Sequence, residues 1–509
     1  MKSDLVIVYH RQPYEEVETP EGTVYRENAS PNGIVPTLKG FLGKANRGAW
    51  VAWKEAEDTS NPGFEPVIEI SDSFGTYDVS RLPLTKEHVK SFYHVTSKEA
   101  FWPILHGFKE RYNYDPVDWP TFRHVNWAFA EAAAEQATDD AVIWVHDYNL
   151  WLVPAYLRQL KPNATICFFH HTPFPGPDMF NVLPWRNEIV ESLLACDSVG
   201  FHIPRYAQNF AAVARSVTGA RLIEEEDTPP ALSATGVALN DRRVPLTLEY
   251  KGQAVAIHTS PVGVNYEHIE SLAHSEDVRA RVAEIRSDLG DCKLCLSVSR
   301  TDYTKGNIEQ LEAFERLLQR RPELHGKVRL MLVSVGANRN MTAYAEVQER
   351  IESLVGRING SYGSLEWQPV ALISQAIPLA QLVAYYAAAD FASITPLADG
   401  LNLVASEFCA ARDAEHPGAL ILSEFAGCAV LLEGAIPVNP FSHASMDAAL
   451  DQALAMEPEE AASRMQALQR SARTWDIGAW TEAEMAHFQK LRAARCPSVT
   501  PLPGTRPAA

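Results

Sequence analysis

The segment from Asp399 to Glu407 places two carboxylates, a turn glycine and a helix start within nine residues. The preceding run Asp390–Ile394 reads as a buried strand, and the residues from Asn402 onward read as a helix that opens towards the exit loop of that strand. Free N–H groups at a helix start attract an anion, and Asp399 at a strand end can accept hydrogen bonds from sugar hydroxyls. Glu407 is spaced to bind both hydroxyls of a nucleotide ribose. The pattern indicates binding of a sugar joined to a diphosphate, and the structural alternative is an N-cap aspartate with a surface glutamate.

A second loop carries two cations, Arg300 and Lys305, five residues apart. It follows the apolar run Leu294–Val298 and precedes a helical pattern that starts at Ile308, so the order is again strand, loop and helix. Both cations can reach a diphosphate from such a loop, where they would neutralise the charge that grows on it as a leaving group. Taken alone, the two could be surface cations. Because both motifs recur at strand ends of one predicted domain, we interpret them as one site.

Polar side chains also follow the predicted strands of the first half. Arg11, Asp147 and His171 each lie two residues beyond the end of a different strand. The carboxyl ends of parallel strands meet at one sheet edge, so these three side chains are expected to share a site. A histidine at such a position can instead be a hydrogen-bonded core residue, but the prolines that follow His171 favour a functional loop.

Composition and charge restrict the class of protein. The chain has 509 residues with 46% apolar and 21% charged, which is typical of a large globular enzyme of two or three domains. A net charge of −19 disfavours a nucleic-acid or anionic-membrane partner. Seven scattered cysteines do not form a secreted disulfide pattern, so we expect a cytoplasmic protein. The single Cys292-x-x-Cys295 pair has no second pair or histidine pair, so neither a metal nor a cofactor is predicted.

Short apolar strands alternate with helical patterns in two groups, which predicts an α/β protein of two doubly wound, Rossmann-like domains facing each other across a cleft. The predicted strands are Leu5–Tyr9, Ala141–Val145, Thr165–Phe169 and Asp197–Phe201 in the first half, and Leu294–Val298, Val328–Val335, Asp390–Ile394 and Ala419–Leu422 in the second. The acidic stretch Glu224–Pro230 between the groups is read as a solvated loop or hairpin connection.

These patterns predict the domain limits. Residues 1–264 would form the first domain and 265–477 the second, with the crossing at Pro261–Asn265. Trp480 and Phe488 indicate that a last helix, at about 478–495, packs back against a core. The Pro-rich residues 496–509 are expected to be a disordered tail.

Four segments together resemble the trehalose-6-phosphate synthase family of retaining GT-B glycosyltransferases. They are Asp399–Glu407, Arg300–Gly306, Trp144–Tyr148 and Phe168–Pro175, and the resemblance runs from Leu5 to about Leu491. Several long motifs in the same order make it specific.

The resemblance implies roles on the donor side. Arg300 and Lys305 would bind the donor diphosphate and act in catalysis, and Glu407 would bind the ribose. The residues that would hold the glucose and phosphates are Asp399, Gly400, Leu401, Asn402, Leu403 and Val404, with Gly33 beneath the phosphates. His171 would contact the transferred sugar.

The resemblance also implies an acceptor that carries a phosphate. Asp147 would orient this acceptor during catalysis. Arg11, Tyr93 and Arg339 would bind its phosphate, with Trp53 and Trp102 lining the same pocket.

Departures from the usual family pattern concentrate on the acceptor side. The usual Ser-Asn-Arg is here Tyr9-His10-Arg11, and the usual Gly-Gly-Leu is Asn32-Gly33-Ile34. The connection from Gln12 to Pro31 is longer than usual, Asn149 replaces a histidine and Ala398 replaces an arginine. This combination is similar to the branch of the family that glucosylates glycerol 3-phosphate.

The expected reaction is therefore retaining transfer of glucose from ADP-glucose to sn-glycerol 3-phosphate, as a step in compatible-solute synthesis. The alternatives are a trehalose-phosphate synthase that uses UDP- or ADP-glucose with glucose 6-phosphate, and a catalytically silent regulatory subunit. Because no Asp-x-Asp signature is present, a separate phosphatase is expected to act on the product. Whether the protein forms a homo-oligomer is left open, and the residues do not decide between ADP and UDP as the nucleotide of the donor.

Overall fold

The computed structural model describes residues 2–20, 22–27, 33–233, 237–336 and 342–495. Its strands are β1 (Ser3–Val8), β2 (Glu15–Thr19), β3 (Gly22–Arg26), β4 (Gly48–Glu55), β5 (Val67–Asp72), β6 (Gly75–Leu84), β7 (Ala137–His146), β8 (Thr165–His170), β9 (Ser198–Phe201), β10 (Arg221–Asp227), β11 (Arg243–Tyr250), β12 (Gln253–Thr259), β13 (Lys293–Arg300), β14 (Val328–Val335), β15 (Val370–Ile373), β16 (Phe391–Ile394), β17 (Ala419–Ser423) and β18 (Ile436–Val438).

The α-helices are α1 (Ile34–Leu42), α2 (Lys86–Val89), α3 (Trp102–Leu105), α4 (Trp119–Gln136), α5 (Val153–Leu160), α6 (Pro177–Phe180), α7 (Arg186–Leu193), α8 (Pro204–Thr218), α9 (Tyr266–Ala273), α10 (Glu276–Leu289), α11 (Asn307–Arg320), α12 (Thr342–Tyr362), α13 (Leu379–Ala388), α14 (Leu403–Ala410), α15 (His443–Ala455), α16 (Pro458–Thr474) and α17 (Ile477–Arg495). A π-helix, Lys90–Phe101, joins α2 to α3.

The second half of the chain folds around six parallel strands in the order β15-β14-β13-β16-β17-β18. The chain enters at β13, builds outward to β15, and then returns to the other side of β13 as β16. In such doubly wound sheets the ligand binds at the carboxyl ends of the strands where the order reverses. Arg300 ends β13 and Asp399 lies in the loop after β16, so the two predicted donor motifs flank this point.

The first half folds around ten strands in the order β10-β11-β12-β9-β8-β7-β1-β4-β6-β5. The strands from β12 to β6 in this order run parallel, and antiparallel strands close both edges. The order reverses between β1 and β7, whose exit loops carry Arg11 and Asp147. Both halves therefore have the predicted α/β, doubly wound architecture.

The chain passes between the two halves at two adjacent segments, 260–265 and 475–478. The Ile477 N–H donates to the Val264 carbonyl at 3.1 Å. A Cβ on Gly263 would lie 1.9 Å from the Trp475 carbonyl oxygen, so this crossing needs a glycine. Helix α17 then returns to the first sheet, where the rings of Trp480 and Trp144 lie 5.5 Å apart. The limits 1–264 and 265–477 stay predictions.

Some expectations differ from the structure. Glu224–Asp227 are not a loop but belong to β10, an exposed edge strand paired with β11. Charged side chains suit an edge strand because they discourage pairing with another chain. The β2–β3 hairpin within the long Gln12–Pro31 connection and the strands β4 to β6 were not predicted. Residues 496–509 lie outside the described part of the chain, and no described helix is long and apolar enough to cross a membrane.

Candidate active site

A cavity of about 530 Å³ lies between the carboxyl edges of the two sheets. It is lined by most residues of the predicted donor site, namely Arg300, Lys305, Asp399, Leu401, Asn402, Leu403, Val404 and Glu407. From the first half, His171 and His202 form part of its wall. A volume of this size is in the range of small-molecule sites. The donor motifs of the second half and His171 of the first half therefore face one cavity.

Asp399 is held as an ionised carboxylate at this cavity. The Lys305 ammonium donates to its Oδ2 at 2.7 Å, and the Asn402 amide donates to the same oxygen at 3.1 Å. Burial alone would raise the pKa of Asp399, but the charge and hydrogen bond of Lys305 outweigh it and the pKa lies below its ordinary value. The site therefore presents a charged acceptor for hydroxyl groups beside a cation that can bind a phosphate.

The loop around Asp399 depends on a close backbone approach. A Cβ on Gly400 would lie 2.3 Å from the His171 carbonyl oxygen, so the loops of the two halves touch at this point. Asn402 adopts a left-handed backbone with φ of 76°, and its side chain accepts a hydrogen bond from the Ala405 N–H at the start of α14. Asparagine tolerates this conformation better than most residues. The remaining N–H groups of the first turn of α14 can face an anion.

Glu407 lies in the second turn of α14 and is 3% exposed. Its carboxylate accepts a hydrogen bond from the Tyr386 hydroxyl at 2.8 Å. Burial raises the pKa of Glu407 to about 7, and the Tyr386 hydrogen bond opposes this only in part. The affinity of this carboxylate for hydroxyl groups therefore changes near neutral pH.

Three histidines stand on the first-half side of the cavity: His146 and His202 are buried, and His171 is half-buried. His171 Nε2 lies 3.0 Å from His146 Nδ1, and the rings of His171 and His202 are 5.3 Å apart. Burial lowers the pKa of each of the three, to about 3 for His202. They are therefore neutral, and they can exchange hydrogen bonds with a sugar without adding charge.

Gly33 lies in a second, smaller cavity of about 330 Å³ rather than in the larger one. The two cavities are adjacent because Leu403 and Glu407 line both. Gly33 is the N-cap of α1 and has φ of 122°, a backbone conformation that glycine adopts without strain. Its neighbour Ile34 lines the larger cavity.

The predicted acceptor residues come from four elements: Arg11 follows β1, Trp53 lies in β4, Tyr93 lies on the π-helix and Trp102 begins α3. Arg11 and Tyr93 interact through charge and a hydrogen bond. The indole N–H groups of Trp53 and Trp102 are buried and have no hydrogen-bond partner among the described residues. Both can therefore donate to an acceptor. Arg339 lies outside the described residues.

Asp147 stands directly after β7 with an unusual backbone, since its φ is 70°. Burial raises the pKa of Asp147 to about 6, against a backbone hydrogen bond from Tyr148 and the positive charges of Lys98 and Arg11. A buried carboxylate in a strained backbone conformation beside cations is typical of functional sites.

Three residues of this region were not predicted from the sequence. His202 follows β9 by one residue, so the strand-end pattern that indicated His171 could also have indicated His202. Tyr386 lies on α13 and contacts Glu407 only through tertiary packing, for which the sequence holds no local signal. Lys98 lies on the π-helix with its ammonium 4.0 Å from the centroid of the Trp102 ring. The aromatic residues near Lys98 in the sequence were the available signal for this residue.

Two Rossmann-like halves with ligand-binding residues at the facing strand ends define the GT-B class of glycosyltransferases. The family model described as glycosyltransferase family 20 matches residues 3–490. The chain belongs to this family and is a glycosyltransferase. The predicted resemblance and the predicted fold class are confirmed.

Comparisons with individual proteins separate two kinds of relative. A glucosylglycerol-phosphate synthase of Synechocystis sp. is 49% identical over 480 residues, which cover 94% of this chain and 96% of the relative. A trehalose-6-phosphate synthase of Mycobacterium sp. is 36% identical over 497 residues, with 97% of each chain covered. The crystal structure of an α,α-trehalose-phosphate synthase from Burkholderia xenovorans in complex with glucose-6-phosphate is similar with a TM-score of 0.80 and 28% identity, covering 95% of this chain and 99% of that one.

Proposed function

We propose that this chain transfers glucose from ADP-glucose to sn-glycerol 3-phosphate with retention at the anomeric carbon. The products are 2-O-(α-D-glucosyl)-sn-glycerol 3-phosphate and ADP. The observation that carries the choice of acceptor is the 49% identity, over 94% of the chain, to a protein named glucosylglycerol-phosphate synthase. Identity to the trehalose-6-phosphate synthase is lower, at 36%. The Tyr9-His10-Arg11 departure at the strand reversal of the first sheet supports the same choice.

The larger cavity accounts for the donor half of the proposal. Lys305 and Arg300 bind the diphosphate and neutralise its growing charge as it leaves. Asp399 and His171 hydrogen-bond to the glucose, and Glu407 binds the ribose hydroxyls. The backbone of residues 400–404 holds the glucose and phosphates at the start of α14. Gly33 allows the first-half loop to approach the phosphates closely.

The cations and aromatic residues of the first half account for the acceptor half. Arg11 and Tyr93 bind the acceptor phosphate, and Trp53 and Trp102 line its pocket through their free indole N–H groups. Asp147 orients the hydroxyl that attacks. Arg339 is assigned to the same phosphate by the sequence resemblance alone.

Retention follows from attack on the same face from which the diphosphate leaves. The bond between the anomeric carbon and the diphosphate oxygen breaks, a bond to the acceptor oxygen forms, and the acceptor proton moves to the leaving phosphate oxygen. The protein contributes by positioning both substrates and stabilising charge. Gly400 lies against the His171 carbonyl, so the loops of the two halves meet beside the cavity, and closure of the halves over the reacting atoms would exclude water.

The test compares acceptors on the purified protein. ADP release from ADP-glucose is followed with glycerol 3-phosphate and with glucose 6-phosphate. We expect kcat/KM to favour glycerol 3-phosphate. A preference for glucose 6-phosphate would replace the proposal with trehalose-phosphate synthesis. No release above the rate without acceptor, for either compound and with UDP-glucose as well, would favour the silent regulatory subunit.

Replacing Arg11 by alanine is expected to raise the KM for glycerol 3-phosphate roughly 10- to 100-fold, as expected for loss of a charge-assisted hydrogen bond. The KM for ADP-glucose should change little, because Arg11 does not line the larger cavity. Steady-state kinetics with each substrate varied in turn measure both values. Equal losses for the two substrates would contradict the division of the site into a donor and an acceptor half.

The KM for ADP-glucose is expected to rise as the pH falls through about 7, the pKa of Glu407 in the free enzyme. Only the ionised carboxylate accepts hydrogen bonds from both ribose hydroxyls, so donor affinity is highest above this pH and decreases below it. The measurement is the donor KM between about pH 6 and 8 for the wild type and for Glu407→Gln. The variant should bind the donor weakly and without this pH dependence. If the variant keeps the pH dependence of the wild type, the assignment is refuted.

We also place the protein in the cytoplasm, with a separate phosphatase that releases glucosylglycerol from the product as a compatible solute. A phosphorylated product needs a phosphate-ester hydrolysis step to become uncharged.

A further inference from the structure

Lys98 is a half-buried cation at the acceptor side of the site. It projects from the π-helix Lys90–Phe101, and its Nζ lies 4.0 Å from the centroid of the Trp102 ring and 5.7 Å from that of the Tyr93 ring. Both aromatic residues belong to the predicted acceptor pocket. A cation held against ring faces is fixed in position, yet its three N–H donors stay available on the other side.

Among the described residues, the cations Lys98, Arg11 and Arg300 outnumber the two carboxylates, Asp147 and Asp302, that interact with Lys98. Within the described residues, none of Lys98, Arg11 and Arg300 forms an ion pair with a carboxylate, whereas Lys305 at the larger cavity is paired with Asp399. A cluster with a surplus of positive charge, of which Arg300 lines the larger cavity, favours binding of an anion.

The pKa values of Tyr93 and Lys98 are consistent with a surplus of positive charge around them. Burial raises the pKa of Tyr93, but the charges of Lys98, Arg11 and Arg300 outweigh it, and the pKa lies below its ordinary value. Burial lowers the pKa of Lys98 and outweighs the opposing effect of Tyr93 and Asp302, and the charges of Arg300 and Arg11 lower it further. A bound dianion would oppose both decreases in pKa, because negative charge favours the protonated forms of the Lys98 ammonium and the Tyr93 hydroxyl.

We propose that the Lys98 ammonium binds the phosphate of the acceptor directly, together with Arg11. A phosphate monoester carries about −1.5 to −2 charges at neutral pH and three acceptor oxygens, so it can accept hydrogen bonds from both cations at once. The bare alcohol offers these two cations no charged partner and is therefore a poor acceptor. Lys98 is thus a specificity-determining residue that restricts the enzyme to phosphorylated acceptors. This inference rests on the proposed function for the identity of the acceptor.

The test uses Lys98→Met, which keeps the apolar stem over Trp102 and removes the charge. Inorganic phosphate is expected to bind the wild-type enzyme in the presence of ADP and to inhibit competitively against glycerol 3-phosphate. In Lys98→Met we expect the phosphate dissociation constant and the KM for glycerol 3-phosphate each to rise roughly 10- to 100-fold. The KM for ADP-glucose should change less than about twofold, a split that a merely structural role would not produce.

Lys90→Met is the matched control, because Lys90 begins the same π-helix and is exposed. It should behave as the wild type in every assay. Unchanged phosphate binding in a folded Lys98→Met variant, measured by calorimetry, would overturn the proposal even if that variant turns over no substrate. A wild-type enzyme that binds phosphate through Lys98 but uses only glucose 6-phosphate would refute the proposed acceptor and leave the role of Lys98 intact.

Discussion

Replacing Lys305 by alanine is expected to lower kcat by on the order of 10² or more, because its ammonium stabilises the charge that develops on the leaving diphosphate. Lys305 also neutralises Asp399, and the two side chains are only 12% and 15% exposed. Removing one partner leaves a carboxylate poorly solvated, so thermal stability should decrease as well. Turnover with saturating substrates and thermal unfolding of the same preparation measure the two effects.

A double variant separates catalysis from stability. In Lys305→Ala with Asp399→Asn both charges are absent, so much of the lost stability should return while turnover stays low. Lys327→Ala, at an exposed lysine of the same domain, should match the wild type in both measurements. Near-normal turnover in Lys305→Ala would refute the assignment of this residue to the diphosphate.

Replacing Gly400 by alanine is expected to lower kcat by a similar factor, on the order of 10². The added Cβ would lie 2.3 Å from the His171 carbonyl oxygen and 3.0 Å from the Thr172 Cα. Both neighbours are backbone atoms that cannot rotate away, so the loop that carries Asp399 must shift relative to the first half. A shift of about 1 Å between reacting groups is enough for a loss of this size.

Gly356→Ala provides the control for the Gly400 variant. Gly356 is an exposed residue of α12, and its Cβ would meet nothing within 4 Å. Alanine there should preserve turnover and raise stability slightly, since it favours the helix. Full activity in Gly400→Ala would mean that catalysis does not require this contact between the halves.

The sequence predicted the parts of the fold that depend on local apolar runs. The strands β13, β14, β16 and β17 were located within about two residues, and Arg300, Lys305 and Asp399 at the ends of β13 and β16 line one cavity. This works because parallel strands buried on both faces are continuously apolar. The strands β4, β5 and β6 were missed, and for β5 the reason is that it is an exposed edge strand that alternates in burial.

The parts of the site that depend on distant contacts could not be read from the sequence. Glu407 was predicted from its spacing, but its partner Tyr386 is 21 residues away on another helix. The environment of the Lys98 side chain is formed by the rings of Trp102 and Tyr93 and by Arg11, which lies at a strand end far away in the sequence. Gly33 lines the adjoining cavity rather than the larger one, and its place beneath the donor phosphates stays a prediction.

The central claim is the identity of the transferred and accepting groups, and product analysis by NMR tests it most directly. The purified enzyme is incubated with ADP-glucose or UDP-glucose, each combined with glycerol 3-phosphate or glucose 6-phosphate. We predict an α-linked glucosylglycerol phosphate, formed chiefly from ADP-glucose and glycerol 3-phosphate, with the linkage at the 2-hydroxyl. Formation of trehalose phosphate as the main product, or a β-linked glucoside from any pair, would contradict it.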